Sequence, residues 1–307
     1  MSTVKLASEM YAEGYAYADL AAMMKAGDIR QVRRGAYSLD RPADATHEAI
    51  HRDLVESTYR LVSDEAVVSH MSAAVLHGLP TWNSALTRAH FTRDREGGGR
   101  IDGLKHVHIA PLRRSDVVDV DGFRVTSVAR TVSDLARSLT PFKAVPIGDA
   151  ALARGLPRTE LVTVLASCKG WRGVVRGRRT IEFLDPRSES PGESCSRVRI
   201  AELGLPAPEL QHEVIDDLGY LIGRADFAWL KQRTLGEFDG TGKYHELRRP
   251  DQTLEDVLAA ERARERALRA EGWQVVRWRW EHLNQTAELC SMIRAAFDVA
   301  HPRGHGR

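Results

Sequence analysis

The sequence predicts a multidomain protein of mixed α+β and α/β class, and three observations lead to that prediction. The chain has 307 residues, and that is about twice the usual size of one domain. Near the N-terminus, apolar residues recur at helical spacing and then alternate with basic residues. In the last third, two alternating segments typical of strands lie between helical patterns. We therefore expect two or three modules, each with its own hydrophobic core.

Composition limits the classes of function. The formal net charge of +2 is too small to require a polyanionic partner. Cys168, Cys195 and Cys290 are far apart and lack metal-site spacing, which favours reduced thiols. The sequence contains no apolar run of about 20 residues and no basic and apolar leader at the N-terminus. We expect a cytoplasmic protein that does not cross a membrane.

Two short helices and a small hairpin are predicted at the N-terminus. Residues 4–26 have the pattern of two helices separated at Gly14, and residues 29–39 alternate and bend at Gly35. This is the order of a winged helix, so we assign residues 1–45 to a DNA-binding module. Its basic wing would contact phosphate, although a small α+β subdomain with a solvated basic edge fits the same pattern. The wing residues are Arg30, Arg33 and Arg34.

A mixed α/β domain is predicted for residues 46–165. His70 and His77 lie on one helical face, but no third ligand has suitable spacing, so we interpret them as packing or capping residues. The run from Arg130 to Asp134 is assigned no catalytic role, because Ser133 and Asp134 are neighbours that point different ways on a helix. The predicted elements are a helix at 69–77, strands at 105–109 and 122–126, and a helix capped by Thr126 or Ser127 that runs to Arg137.

Several ordered blocks of the first half carry a family resemblance. Besides the helix pair, they are Arg-Arg-Gly-Ala-Tyr at 33–37, Ser-His-Met-Ser-Ala-Ala-Val-Leu-His-Gly-Leu-Pro at 69–80 and Val-Thr-Ser-Val-Ala-Arg-Thr-Val-Ser-Asp-Leu-Ala-Arg at 125–137. Together they resemble AbiEi-family antitoxin proteins of actinobacteria. The resemblance implies a winged-helix module and an α/β domain in a protein that represses a toxin–antitoxin operon. It also implies DNA and a cognate toxin protein as partners.

A basic stretch follows, and we interpret residues 166–187 as a connector. Only Glu182 and Asp185 oppose its cations. This composition is typical of a segment that contacts phosphate. An ordinary solvated linker or the start of a helix explains it equally well. The candidate phosphate contacts are Arg172, Arg176, Arg178 and Arg179.

Residues 188–300 are predicted to form a C-terminal domain, followed by a flexible tail at 301–307. On the last strand, Trp278 and Trp280 share a face that we expect to pack on the core, whereas Arg277 and Arg279 point outward or toward nucleic acid. The predicted elements are a helix at 194–203, strands at 220–229 and 233–240, a helix at 254–270 and a strand at 273–280.

Three carboxylates are predicted to converge on this domain's hairpin. A symmetric turn places Asp226 directly opposite Glu237, and Asp239 on the same face as Glu237. Opposed like charges destabilise a sheet, so this arrangement requires a compensating cation. Hard oxygen ligands suit Mg²⁺ or Mn²⁺, which can activate water and stabilise charge on a scissile phosphate. Alternatively, the strand simply runs into the Asp239-Gly240 turn and its carboxylates are solvated.

The spacing of Asp226, Glu237 and Asp239, with Glu193 on a preceding helix, resembles the PD-(D/E)xK nuclease core. The similarity is closest to the branch that includes very short patch repair endonucleases. It implies Asp226 and Glu237 as metal ligands and Glu193 as the helical acid of the core, and we predict Glu193 or Asp239 as a further metal ligand. Asp239 occupies the position of the usual lysine, and Lys243 is the substitute that we predict. The sequence thus predicts a DNA-binding, metal-dependent endonuclease; the alternative is a non-enzymatic AbiEi-like repressor with a vestigial nuclease fold.

Overall fold

The structure is a computed structural model that describes residues 4–39, 45–63, 65–82, 84–95, 97–240 and 254–300. It shows a mixed α/β protein with three sheets. The chain divides into two compact units, Met1–Phe183 and Leu184–Arg307. Among the described residues, the cysteines are free and no helix is long and apolar enough to span a membrane.

The N-terminal part of the first unit is a three-stranded antiparallel sheet with two helices. Residues 4–6 are predicted to be helical, but they form an edge strand, because they pair with residues distant in sequence: Val4 with Ser38 and Leu6 with Ala36. Gly27 ends the second helix with a left-handed φ of 83°. The sheet has the order β1-β3-β2 and contains β1 (Val4–Leu6), β2 (Arg30–Arg33) and β3 (Ala36–Ser38), with α1 (Ala7–Ala12) and α2 (Tyr17–Ala26) between β1 and β2.

A six-stranded mixed sheet forms the centre of the first unit. Its order is β6-β7-β5-β4-β9-β8, in which the β5/β7 and β4/β9 pairs are parallel and the other pairs antiparallel. Val68, Phe91 and Val125 are fully buried on it. The strands are β4 (Val67–Val68), β5 (Ala89–Arg93), β6 (Arg100–Ile101), β7 (Lys105–Ile109), β8 (Val117–Val120) and β9 (Phe123–Thr126). The two strands predicted here are confirmed as β7 and β9.

Six helices complete the described part of the first unit. The last of these helices, Val174–Phe183, lies within the stretch 166–187 that was predicted as a connector. The helices are α3 (His47–Tyr59), α4 (His70–Leu76), α5 (Val128–Ser138), α6 (Pro141–Ala153), α7 (Arg158–Ser167) and α8 (Val174–Phe183). Ser127 caps α5 by accepting from the Arg130 amide at 3.3 Å, as expected. Helix α8 packs on α5 and α7. A Cβ added to Gly177 would lie 2.8 Å from Arg137 Cγ, so this glycine permits the close approach.

The second unit is a four-stranded sheet with helices. Its strands follow the order β10-β11-β12-β13, antiparallel except for the last pair, which is parallel and connected through α10. The strands are β10 (Glu209–Ile215), β11 (Leu221–Trp229), β12 (Thr234–Phe238) and β13 (Gln274–Trp278). The helices are α9 (Pro191–Glu202), α10 (Leu254–Ala270), α11 (Trp280–Asn284) and α12 (Thr286–Ala300). Trp280, predicted as the end of a strand, instead begins α11.

The β11/β12 register confirms the predicted hairpin. Phe227 pairs with Gly236, and Trp229 pairs with Thr234. Trp278 packs on the core as expected: it is fully buried, stacks on Phe227 with centroids 5.2 Å apart, and donates through Nε1 to Ser196 Oγ at 2.8 Å. This hydrogen bond ties α9 to the sheet that carries the predicted carboxylates.

Candidate functional site

The β11/β12 register places Asp226 opposite Glu237 on one face of the second unit's sheet. Asp226 Oδ2 accepts a hydrogen bond from the Phe238 amide at 2.8 Å, so the carboxylate is anchored to the backbone of the facing strand. Asp239 follows the end of β12, and its amide donates to Trp278 O at 2.8 Å. The structure therefore brings these three predicted acids to the carboxyl end of β12.

Arginines supply the positive charge that this arrangement requires. Glu237 Oε2 accepts from Arg277 Nε at 2.8 Å, and its Oε1 accepts from Arg264. Arg277 lies beside Glu237 because β12 and β13 are parallel in this register. Asp239 Oδ2 accepts from Arg279 Nε at 2.9 Å. The arginines predicted to point outward or toward nucleic acid are thus paired with the acids themselves.

Carboxylates of α10 extend this ion-pair network. Glu261 contacts Arg264 at 3.1 Å and Arg277 at 2.6 Å, and Glu265 also pairs with Arg277. Burial lowers the pKa of Arg264 and of Arg277, but their hydrogen bonds to the surrounding glutamates outweigh burial and raise both values above the ordinary range. Hydrogen bonding to Arg277 lowers the pKa of Glu265 despite its partial burial. These three shifts favour the charged forms of Arg264, Arg277 and Glu265.

Glu193, the predicted helical acid, is 3 % exposed and has several hydrogen-bond partners. Its carboxylate accepts from the Glu189 amide at 2.9 Å, from Ser190 Oγ at 2.8 Å and from Gln211 Nε2 at 2.8 Å. Ser190 Oγ in turn accepts from the Glu193 amide at 3.2 Å and so caps the N-terminus of α9. Glu193 therefore closes the first turn of α9 and links that helix to β10.

The predicted metal ligands do not form a divalent-cation site in this arrangement. A metal site needs at least three ligand atoms close together. Among the described residues, none of the acids Glu193, Asp226, Glu237 and Asp239 belongs to a group of three or more such atoms within 4.8 Å of one another. Both oxygens of Glu237 already bind guanidinium groups. In this arrangement the acids do not fit Mg²⁺ or Mn²⁺ without movement of arginines. Lys243 lies outside the described residues.

Two of the predicted wing arginines have structural partners. Arg30 donates to Asp53 Oδ2 at 3.0 Å, and that carboxylate is 1 % exposed. Arg33 donates to Ser57 O at 2.8 Å, and burial lowers its pKa. These contacts hold the β2–β3 hairpin to α3. Only Arg34 of the predicted wing set is exposed.

The basic residues predicted as phosphate contacts are exposed on and before α8. Arg176 Nε donates to Arg137 O at 3.1 Å, whereas Arg172, Arg178 and Arg179 have no ion pair among the described residues. Gly177, Thr180 and Ile181 form the buried side of the helix. We name the exposed set the α8 basic surface; it consists of Lys169, Arg172, Arg176, Arg178 and Arg179.

The comparisons with known proteins give distant relatives. No family model matches the chain. The chain is distantly similar to mycobacterial proteins. Two Mycobacterium tuberculosis proteins, named Uncharacterized protein Rv2248 and Uncharacterized protein MT2308, are each 29 % identical over 217 residues, which cover 70 % of this chain and 75 % of theirs. The crystal structure of the RV2827C protein from the same species matches with a TM-score of 0.40 and 12 % identity, over 70 % of this chain and 84 % of that one.

Sequence reasoning missed a histidine cluster in the first unit. His70, His90 and His108 each contribute one ring nitrogen, and these three nitrogens all lie within 4.8 Å of one another. The His-x-His spacing at 106 and 108 places both side chains on one face of β7, which was a detectable signal. His90 was not detectable in the same way, because strand β5 was not predicted and its parallel pairing with β7 is non-local.

A buried ion network was also missed. Arg130, 1 % exposed, donates to Asp134 at 2.8 Å and to Asp116 at 3.0 Å, and Arg137 donates to Asp134 at 2.7 Å. Arg130 and Arg137 both lie over the Trp171 ring, about 5 Å from its centroid. The network links α5 to the segment before β8, so the run that was assigned no chemistry has a structural role.

Proposed function

We propose that this protein binds DNA, and the exposed, unpaired cations of the α8 basic surface are the observation that carries the proposal. A helix face with several guanidinium groups and few acids attracts phosphate without reading base sequence. Arg172, Arg178 and Arg179 need not break an ion pair of the described residues to bind phosphate. Glu182 is the one acid of α8 and lies in its last turn, and it forms no ion pair among the described residues.

The N-terminal sheet supports the same proposal. Two helices and a closing hairpin on a three-stranded sheet of order β1-β3-β2 are the parts of a winged helix. Tyr17, the first residue of α2, is 74 % exposed. In such modules the N-terminal residues of the second helix contact base edges, so α2 would read sequence. Arg34, rather than Arg30 or Arg33, would then provide the phosphate contact of the wing.

Substitutions on α8 test this proposal. We expect Arg178→Ala with Arg179→Ala to weaken binding to duplex DNA about 3- to 30-fold, because each lost phosphate contact removes part of the favourable counterion release. Arg262→Ala with Arg266→Ala is the matched control, since both are exposed helical arginines of the second unit. Fluorescence anisotropy with a labelled duplex measures the affinities. Equal affinity of wild type and the α8 variant would contradict the assigned surface.

A second candidate function is divalent-metal-dependent cleavage of DNA by the second unit. The elements of this unit follow one another as a helix, three antiparallel strands, a helix and a parallel strand, and Asp226 lies opposite Glu237. This order resembles that of a PD-(D/E)xK core and favours the second candidate. A bound Mg²⁺ or Mn²⁺ would supply an activated water and neutralise phosphate charge. Asp226 and Glu237 would hold it, and Glu193 would keep its capping role.

The ion pairs favour the alternative, in which the nuclease fold is vestigial and the protein acts as an AbiEi-like repressor with a cognate toxin. Glu237 can bind a metal cation only if Arg264 and Arg277 first release the Glu237 carboxylate. DNA could assist, since both guanidinium groups can pair with phosphate instead. Without that exchange, Glu237 is part of a structural ion-pair network and has no role in catalysis.

Plasmid cleavage distinguishes the two candidates. Supercoiled DNA is incubated with Mg²⁺ or Mn²⁺ and with wild type, Glu237→Ala, Lys243→Ala or Glu265→Ala. The last variant is the control, because Glu265 belongs to the same arginine network but is not opposite Asp226. Metal-dependent products that are lost in the first two variants and kept in the control support the nuclease. DNA binding without any product from wild type supports the repressor.

A further inference from the structure

The histidine cluster is assembled from three elements of the first unit. Parallel pairing of β5 with β7 places His90 beside His106 and Thr92 beside His108, all on one face of the sheet. His70, the first residue of α4, stacks on His108 with ring centroids 3.7 Å apart. His90 Nδ1 lies 3.0 Å from His108 Nε2. Residues that are distant in sequence thus bring several imidazole nitrogens to one place.

We propose that His70, His90 and His108 form a binding site for a divalent transition-metal ion of the Zn²⁺ class. Imidazole nitrogens bind Zn²⁺ at about 2.0–2.1 Å, which puts neighbouring ligand atoms of a tetrahedral site about 3.3 Å apart. The 3.0 Å separation of the His90 and His108 nitrogens already approaches that spacing. The remaining separations are at most 4.8 Å, and to close the set the stacked rings of His70 and His108 must rotate so that their nitrogens converge.

The three imidazole nitrogens of the cluster are the donor type that Zn²⁺ binds. Burial, followed by the charge of His106, lowers the pKa of His90 to about 3. Burial also lowers the pKa of His70 and of His108 far below the ordinary value. Three nitrogen ligands leave a fourth position for water or another ligand. His90 and His108 are partly exposed, which gives an ion a route to the site.

His70 has the surroundings of an oriented ligand. Its Nδ1 lies 3.0 Å from Ser69 Oγ, which accepts from Thr92 Oγ1 at 2.8 Å. Ser69 and Thr92 are completely buried. A second-sphere hydroxyl of this kind fixes the tautomer and direction of a metal-binding imidazole. His70 also has a φ of 52°, a left-handed conformation that is unfavourable for a residue other than glycine and is concentrated at ligand sites.

The neighbouring charges are compatible with a divalent ion. The positive charges of Arg137 and Arg130 reach His70 and contribute to its lowered pKa. Both arginines are, however, paired with Asp134, which also opposes the lowering of the pKa of His108. His106 stacks on His108 at 3.7 Å and belongs to the packing around the site rather than to the ligand set. This site lies in the first unit and is independent of DNA cleavage.

Metal binding to the full chain tests this proposal. After chelation and gel filtration, the protein is dialysed against Zn²⁺ and the bound metal is measured. We expect about one ion per chain whose affinity falls at least tenfold in His90→Gln and in His108→Gln. His77→Gln is the matched control: His77 is a partly buried histidine of the same domain that contacts Thr126 O, outside the cluster. Unchanged affinity in the cluster variants, or no zinc in wild type, would overturn the site.

Cobalt spectroscopy of the wild type keeps the test valid even if a variant fails to fold. Co²⁺ in a four-coordinate nitrogen site gives a visible spectrum distinct from that of the six-coordinate hydrated ion. We expect the four-coordinate spectrum, displaced stoichiometrically by Zn²⁺. A spectrum of hydrated cobalt at saturating protein concentration would show that the imidazoles stack without binding metal.

Discussion

At the scale of single residues, the central finding is how the acids on the hairpin are neutralised. Sequence spacing was sufficient to predict that Asp226 faces Glu237 and that a cation must compensate them. It was not sufficient to identify the cation. Arg264 comes from α10 and Arg277 from a parallel strand, and neither contact follows from local pattern. The need for positive charge beside the acids was predictable from the sequence, whereas the arginines that supply it are identified only by the tertiary structure.

Removing Glu237 has a predictable effect on stability. Its side chain is 14 % exposed and pairs with two arginines, so Glu237→Ala leaves both with fewer partners. We expect a loss of about 1–3 kcal/mol in the free energy of unfolding. Glu288→Ala, which removes a carboxylate from the first turn of α12, should change stability by less. Urea denaturation followed by circular dichroism measures both, and equal stability of the Glu237 variant and wild type would show that the pairs contribute nothing.

Asp116 predicts a pH dependence. Burial raises its pKa, but hydrogen bonds from Arg113 and the charge of Arg130 outweigh burial and lower it below the ordinary value. A carboxyl group with a depressed folded-state pKa stabilises the fold above its unfolded pKa of about 3.9, and this stabilisation is lost as pH falls through the folded value. Asp116→Asn should therefore be less stable than wild type at pH 7, and the gap should narrow below about pH 4. Urea denaturation midpoints of both proteins across this pH range measure the difference in stability. A difference that stays constant with pH would contradict the prediction.

At the scale of secondary-structure elements, success depended on how local the signal was. The hairpin, the helix after Ser127 and strand β7 have regular patterns and were predicted. Strand β1 was assigned to a helix, because only its pairing with β3 makes it extended. The stretch 166–187, which includes α8, was taken as a connector because of its basic composition. In the structure Gly177 allows α8 to approach Arg137 closely, and this non-local contact is not readable from the sequence alone.

Gly177→Ala tests this account of α8. Alanine favours an isolated helix by about 1 kcal/mol over glycine. Here the added Cβ would lie 2.8 Å from Arg137 Cγ and 3.1 Å from Leu165 Cδ1, so either the Arg137 side chain or α8 must shift. We expect a net loss of about 1–3 kcal/mol. Arg179→Ala, on the exposed side of α8, should change stability by less than about 0.5 kcal/mol. A stabilised Gly177→Ala protein would show that the contact relaxes without cost.

At the scale of the whole molecule, the chain contains two compact units, each with its own core. The general architecture of an N-terminal helix pair with a hairpin and a late mixed sheet followed from the sequence. The C-terminal domain was predicted to begin at residue 188, and the second unit begins at Leu184. The basic composition of 166–187 concealed a helix that packs on the first unit. The histidine site was missed for the related reason that it depends on the parallel pairing of β5 with β7.

DNA binding through the α8 basic surface makes the affinity of the wild-type protein depend on salt, and this dependence can be measured. A protein that neutralises several phosphates releases their counterions, so log K falls linearly with log salt with a slope of about −0.9 per phosphate contact. For the four arginines of the α8 basic surface we predict a slope of about −3 to −4 on duplex DNA, reduced by about 2 in the Arg178→Ala, Arg179→Ala variant. Absence of measurable binding at low salt, or a slope near zero, would contradict DNA binding through the α8 basic surface.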